Sequence, residues 1–248
     1  MSIVLVSIDT DEFGTFSGER PRVLSPISAL RAKCDSASRA SDLNLIVASE
    51  GSFGPHPSIL FVPADEELLM LKDYENDIEI VARVISTETN FHSSEVFSEK
   101  DLLEFVEMVK FPSHSVILRG KSSNEFAFKG INDQRELLSC FNQLMDQGIG
   151  VIAETDMRAI HNPLRMQVIE SCCLELIRKI HSVCEICATP GFDVTEVIAG
   201  LPCQQCGTPT SSPLVNIFCC KKCGHTMEKK FPMGKVCEDP MHCDVCNP

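Results

Sequence analysis

The sequence predicts an α/β domain with a mixed or mostly parallel sheet over residues 1–183, followed by a small cysteine-built module over residues 184–248. Three observations carry this. Short apolar runs alternate with longer amphipathic stretches up to residue 183, the pattern of strands joined by helices. Ten of the 14 cysteines fall after residue 183, so the chain changes character there. A chain of 248 residues that is 44% hydrophobic can bury one good core and still build a small second unit.

In chain order, the Val-, Ile- and Leu-rich runs expected as strands are "IVLVSI" (3–8), "LNLIVAS" (43–49), "IEIVARVIS" (78–86), "SVILR" (115–119) and "GVIAE" (150–154). Helical periodicity places helices at about 26–40, 98–110, 133–147 and 163–183. The last is the best defined. Asn162 suits the N-cap and Pro163 the first helical position. Met166, Ile169, Cys173, Leu176, Ile177 and Ile180 then make one apolar face, with Cys172 and Cys173 read as core packing.

Four Cys-x-x-Cys pairs build the tail: Cys184/Cys187, Cys203/Cys206, Cys220/Cys223 and Cys243/Cys246. Two thiolates on one tight turn reach the same tetrahedral Zn²⁺, so the pairs predict two structural Cys₄ zinc sites in a ribbon-like module. Gly207 and Gly224, directly after a second cysteine, supply the positive φ such a turn needs. The alternative is a disulfide framework, which the lack of a secretion signal disfavours. Two pairings stay open: a nested scheme, 203/206 with 220/223 and 184/187 with 243/246, is preferred over a sequential one. Cys219 and Cys237 are spare. Residues 184–248 hold five lysines, no arginine and seven acids, a poor footprint for nucleic acid. A protein contact is the expected use of the module.

Four expected strands end in an acid beside a hydroxyl residue: Asp9-Thr10-Asp11, Glu50-Gly51-Ser52, Thr87-Glu88-Thr89 and Glu154-Thr155-Asp156. Ligands of open α/β sheets bind beyond the carboxyl ends of the strands, so these loops are expected to converge. Clustered carboxylates call for a hard cation, Mg²⁺ or Mn²⁺. Arg20, Arg22, Arg119, Lys129, Arg158 and Arg165 are cations suited to phosphate. The competing reading is structural: acids and hydroxyls are ordinary loop and cap residues, Arg158 or Arg165 pairs with Glu154 or Asp156, and His56 and His161 only hydrogen-bond backbone.

The net charge of −13 argues against broad attraction to nucleic acid or anionic lipid. No apolar run reaches the length that spans a bilayer. The N-terminus has no basic region and meets Asp9 too early for a signal peptide, so a cytoplasmic protein is expected.

The stretches "DTDEFGTFSGERPR", "ASEGSFGPHPS", "STETNF", "ETDMRAIHNPLRM" and "DPMHCDVCNP" together resemble a bacterial family described as a domain of unknown function. That resemblance implies no activity. Members carry an N-terminal segment with a "TKHGKE"-like motif that this chain lacks, which makes a shortened version the expectation. The run "ISALRAKCDSASRASDLNLIVASEGSFG" is similar in layout to nucleoside triphosphate pyrophosphatases of the inosine-triphosphatase and Maf type. The similarity implies a metal-linked role for Glu50, with Gly51 and Ser52 in a phosphate loop.

The expected function is therefore Mg²⁺-dependent binding and hydrolysis of a phosphorylated, nucleotide-like small molecule. Glu50, Glu154 and Asp156 would hold the metal with Asp9 or Asp11 assisting, and Arg158, Arg165 and Lys129 would clamp oxygens. The alternative is a non-enzymatic interaction or regulatory module that works through the zinc unit.

Overall fold

The structure, a computed structural model, describes residues 3–10, 24–121, 123–148 and 150–248, with side chains left out for 123–126. Asp11, Arg20 and Arg22 lie outside the described residues. The chain forms two compact units, Met1–Leu176 and Ile177–Pro248.

The first unit holds two sheets. Helix α1 (Pro26–Ser41) begins at Ser25, whose hydroxyl accepts from the Ser28 amide, with Pro26 in the first turn. It leads into a meander of β1 (Leu45–Pro55), β2 (Pro63–Asp73) and β3 (Ile78–Ser86). Both pairings are antiparallel, and Glu50 lies opposite Leu68 while Gly51 lies opposite Glu67. One face packs on α1 through Leu30, Cys34, Ala37, Ile46, Leu68 and Met70.

The second sheet joins β4 (Ser93–Val96), β5 (Val116–Gly120), β6 (Ser123–Ile131) and β7 (Val151–Thr155) in the order β4-β7-β5-β6, again entirely antiparallel. Helices α2 (Glu99–Met108) and α3 (Gln134–Asp146) cover it, burying Leu102, Phe105 and Val106 from one and Leu137, Phe141 and Leu144 from the other. Helix α4 (Pro163–His181) starts where expected, with the Asn162 side chain accepting from the Arg165 amide at 3.0 Å. Its buried residues are Arg165, Val168, Cys172 and Leu176. That face is turned from the expected one: Met166 and Ile177 are exposed, and a guanidinium occupies the inner stripe.

The expectation of a mixed or mostly parallel sheet is thus overturned, because every described sheet pairing is antiparallel. The cause is β2. "PADEELLMLKD" is rich in helix formers and carries five charges, so it does not read as a strand, yet burial on both faces makes it the centre of its sheet. With β2 in place, strands 45–55 and 78–86 are linked by hairpins rather than by a crossover. Residues 3–8 form no strand. Val6 and Ile8 pack against the α1 core, whereas Ile3 and Leu5 are 94% and 96% exposed.

The second unit is a three-stranded antiparallel sheet in the order β10-β9-β8, from β8 (Asp193–Ala199), β9 (Pro213–Cys219) and β10 (Thr226–Lys230). Its small core combines Phe192, Phe218 and Met227 with Cys184 and Cys220. An apolar interior this small needs other fastening. No helix among the described residues is long and apolar enough to cross a membrane.

Candidate functional site

That fastening is in the cysteines. Each Cys-x-x-Cys pair closes a tight turn in which the residue after the second cysteine donates its amide to the carbonyl of the first, from Ala188, Gly207, Gly224 and Asn247 at 2.8–2.9 Å. Gly207 and Gly224 have φ of +71° and +72°, as the turn demands. Ala188 adopts +57° without glycine's freedom.

The pairs gather into two groups, Cys184, Cys187, Cys220 and Cys223, and Cys203, Cys206, Cys243 and Cys246. Across the first group, Cys184–Cys223 and Cys187–Cys220 sulfurs stand 3.7 and 3.6 Å apart. Across the second, Cys203–Cys246 and Cys206–Cys243 stand 3.8 and 3.7 Å apart. A disulfide would bring sulfurs to about 2.0 Å. Four sulfurs at tetrahedral corners about 2.3 Å from one ion are about 3.8 Å apart, so both groups have the dimensions of a Cys₄ metal site.

The pairing is interleaved, first pair with third and second with fourth, and neither the nested nor the sequential scheme holds. A repeat in the sequence carries the reason. "VCEICATP" and "PCQQCGTP" fold into the same hairpin, closed by the bridges Val183–Pro190 and Pro202–Pro209. Each of these two hairpins opens its own site, and a later pair completes it.

Four thiols this close cannot all ionise without a cation among them. The Thr189 hydroxyl, 3.2 Å away, draws Cys187 down to about 6, and Thr208 does the same for Cys206. Cys246 is pushed up to about 12, first by the hydrogen bond with Cys206. A bound metal ion removes that conflict by taking all four as thiolates.

The expected acidic site has a different outcome. Glu154, Asp156 and Arg158 do come together, lining a cavity of ≈ 170 Å³ with Phe53, Phe91 and His92. But the carboxylates face guanidiniums. Glu154 accepts from Arg119 at 2.7 and 3.0 Å. Asp156 is fully buried and accepts from the Arg158 guanidinium, at 2.9 and 3.2 Å from Nε and 2.5 Å from Nη2. The hydrogen bonds to these acids raise the pKa of both arginines further. The structural alternative for Arg158 therefore holds.

Glu50 is elsewhere. Neighbours along a strand face opposite sides, so Glu50 points to α1, where it pairs with Lys33, while Gly51 faces the other way. Ser52 shares the Glu50 side, its hydroxyl 3.4 Å from Glu66. Asp9 is exposed and belongs to no strand, and Lys129 stands half-buried in a bulge of β6 beside Gly130. Among the described residues, the groups of three or more ligating side chains near enough to share an ion are the two cysteine sets, and Glu50, Glu154 and Asp156 do not form one such group.

Arg165 finds a partner that the sequence reading missed. Its Nε donates to Glu67 at 2.7 Å, its Nη1 to the Met157 carbonyl at 2.6 Å, and its guanidinium lies 5.2 Å from the centre of the Phe53 ring. Gly51 is what lets this happen: a Cβ there would sit 2.5 Å from the Glu67 carboxylate and 2.6 Å from Arg165. Asp65, two residues before Glu67 on the same face of β2, is also buried. The signal was present in "ADEELLML" as two acids at strand spacing, but acids inside an apolar run read as surface. His56 accepts from the Ser58 amide at 3.1 Å, an ordinary loop role.

No curated protein and no solved structure matches the chain. A family model matches residues 33–248, both units included but for the first residues. The chain belongs to the family described as Domain of unknown function (DUF6671).

Proposed function

We propose that the chain is a zinc protein whose C-terminal unit folds around two Zn²⁺ ions and serves as a non-enzymatic interaction or regulatory module. The observation that carries this is the pair of all-sulfur groups with tetrahedral spacing. Thiolate sulfur at four positions favours zinc over hard cations. A closed Cys₄ shell has no open position for substrate, so the metal's work is to hold the fold. Several large apolar side chains of this unit remain exposed: Ile186 and Val245 inside the cysteine turns at 71% and 63%, with Met233 at 71%, Val236 at 64% and Met241 at 63%. Exposed apolar surface in so small a unit supports contact with a protein partner.

The test is phosphate and pyrophosphate release from a panel of nucleoside triphosphates, with zinc retained and Mg²⁺ added or withheld. The module reading expects no release. Metal-dependent turnover that Glu50→Gln abolishes would establish the hydrolase instead.

A second reading is favoured by one observation. "ASEGSFGPHPS", "STETNF" and "ETDMRAIHNPLRM" each supply a wall of the same cavity: Phe53 from the first, Phe91 from the second, and Glu154 to Arg158 from the third. Phe53 and Phe91 have ring centres 5.7 Å apart, and Arg158 keeps 38% of its side chain exposed. Aromatic faces beside a guanidinium suit a small phosphorylated molecule with a flat ring. Equilibrium dialysis against nucleoside mono- and triphosphates tests it, with saturable binding that Arg158→Ala removes as the supporting result.

A further inference from the structure

Among the described residues of the first unit, the buried side-chain polar atoms that lack a hydrogen-bond partner cluster. Both Asp65 oxygens and Glu67 Oε2 lack a hydrogen-bond donor, in side chains that are 1% and 0% exposed. The two carboxyls point the same way from β2 and lie within hydrogen-bonding reach of each other. Two ionised carboxylates in that position would repel each other with no water to screen them.

Among the described residues, the cation that acts on both carboxyls is Arg165. From α4 come Arg165, bound to Glu67, and the Cys172 thiol, which donates to the Glu67 carbonyl at 3.3 Å. From β1 come Gly51 and Phe53, opposite Glu67 and Asp65, and from β3 Val84 and Ser86, none of them charged. Glu50, which also acts on Glu67, is on the far side of the sheet, where Lys33 of α1 pairs with it. Asp156 and Arg158 balance each other nearby in the chain segment that Arg165 holds.

We propose that Asp65 and Glu67 hold a single proton between them beside Arg165, and that this proton is part of the fold. The proton sits on Asp65 and is donated to a Glu67 oxygen, which satisfies one Asp65 oxygen and Glu67 Oε2 together. Burial first, and then the Glu67 charge, push the Asp65 carboxyl up to about 7, with Arg165 opposing. Arg165 also holds the Met157 carbonyl and lies against Phe53, two walls of the cavity. Removing the proton leaves two ionised carboxylates side by side in a buried site.

The sign follows from linkage. A carboxyl whose folded pKa is raised keeps its stabilising proton at low pH, and that stability is lost as pH rises from the ordinary 3.8 to about 7. Asp65→Asn replaces the protonated acid by a neutral donor of the same shape. The experiment is denaturant unfolding of the full chain, wild type beside Asp65→Asn at matched pH and metal supply, across that range. Changes at the cysteine sites are common to both proteins and drop out of the comparison. The expected result is that the wild-type unfolding constant, relative to the variant's, climbs by up to about tenfold per pH unit. Parallel profiles would overturn the proposal. Should Asp65→Asn fail to fold, infrared spectroscopy of the wild type decides. A buried protonated carboxylic acid band that fades as pH rises supports the shared proton, and no such band refutes it.

Discussion

Replacing Arg165 by Met leaves the apolar length of the side chain and takes away its charge, so Glu67 is left in a dry site with no counter-ion. The carboxyl responds by taking up a proton, which limits the penalty. Starting from an ordinary 4.5, neutralising it costs about 3 kcal/mol at about pH 7 and under about 1 kcal/mol at about pH 5. The Met157 carbonyl also loses its donor, about another 1 kcal/mol. Arg165→Met should therefore destabilise the first unit by about 4 kcal/mol near neutrality and recover more than half of that in mild acid. Tyr74, the one tyrosine in a chain without tryptophan, lies in the first unit, so its fluorescence during urea unfolding follows that unit alone. A loss that is equal at both pH values would refute the reasoning, since it would mean that Glu67 gains nothing from the guanidinium.

Other outcomes follow from the same geometry. Gly51→Ala pushes a methyl group into the Glu67–Arg165 pair and should lower stability by about 2–3 kcal/mol, read from the same Tyr74 transition. Cys203→Ser should expose Cys206, Cys243 and Cys246 to alkylation while Cys184, Cys187, Cys220 and Cys223 stay protected, as peptide mass spectrometry of the labelled protein will show. The nested pairing would instead free Cys220 and Cys223. Acidification should release both metal ions as protons compete for the thiolates, detected with a zinc-sensitive dye.

The four helices and four of the strands were legible because their signals are local. Period and length mark α1 to α4, and unbroken apolar runs mark β1, β3, β5 and β7. The sheet order was not legible, because it depends on β2, whose Glu, Leu, Met and Lys content speaks for a helix until tertiary burial overrides it. The same strand hid Asp65 and Glu67, and with them the reason for a cation in the first turn of α4. Cys-x-x-Cys spacing disclosed the eight cysteines of the two groups without fixing their partners. The "CEICATP" and "CQQCGTP" repeat held that information, since like hairpins make like halves of different sites. Of the acids expected at strand ends, Glu154 does lie next to last in β7 and Glu88 just beyond β3, whereas Glu50 sits in the middle of β1 and Asp9 follows no described strand. Strand alternation sends Glu50 to one face and Gly51 to the other, and that divides the expected cluster.

The central claim is two zinc ions, each held by four sulfurs. Zinc X-ray absorption on the purified full chain, with metal content measured on the same sample, tests it most directly. The account predicts two zinc ions per chain and a single shell of four sulfurs at about 2.3 Å. One ion per chain, or nitrogen or oxygen in the shell, would contradict it.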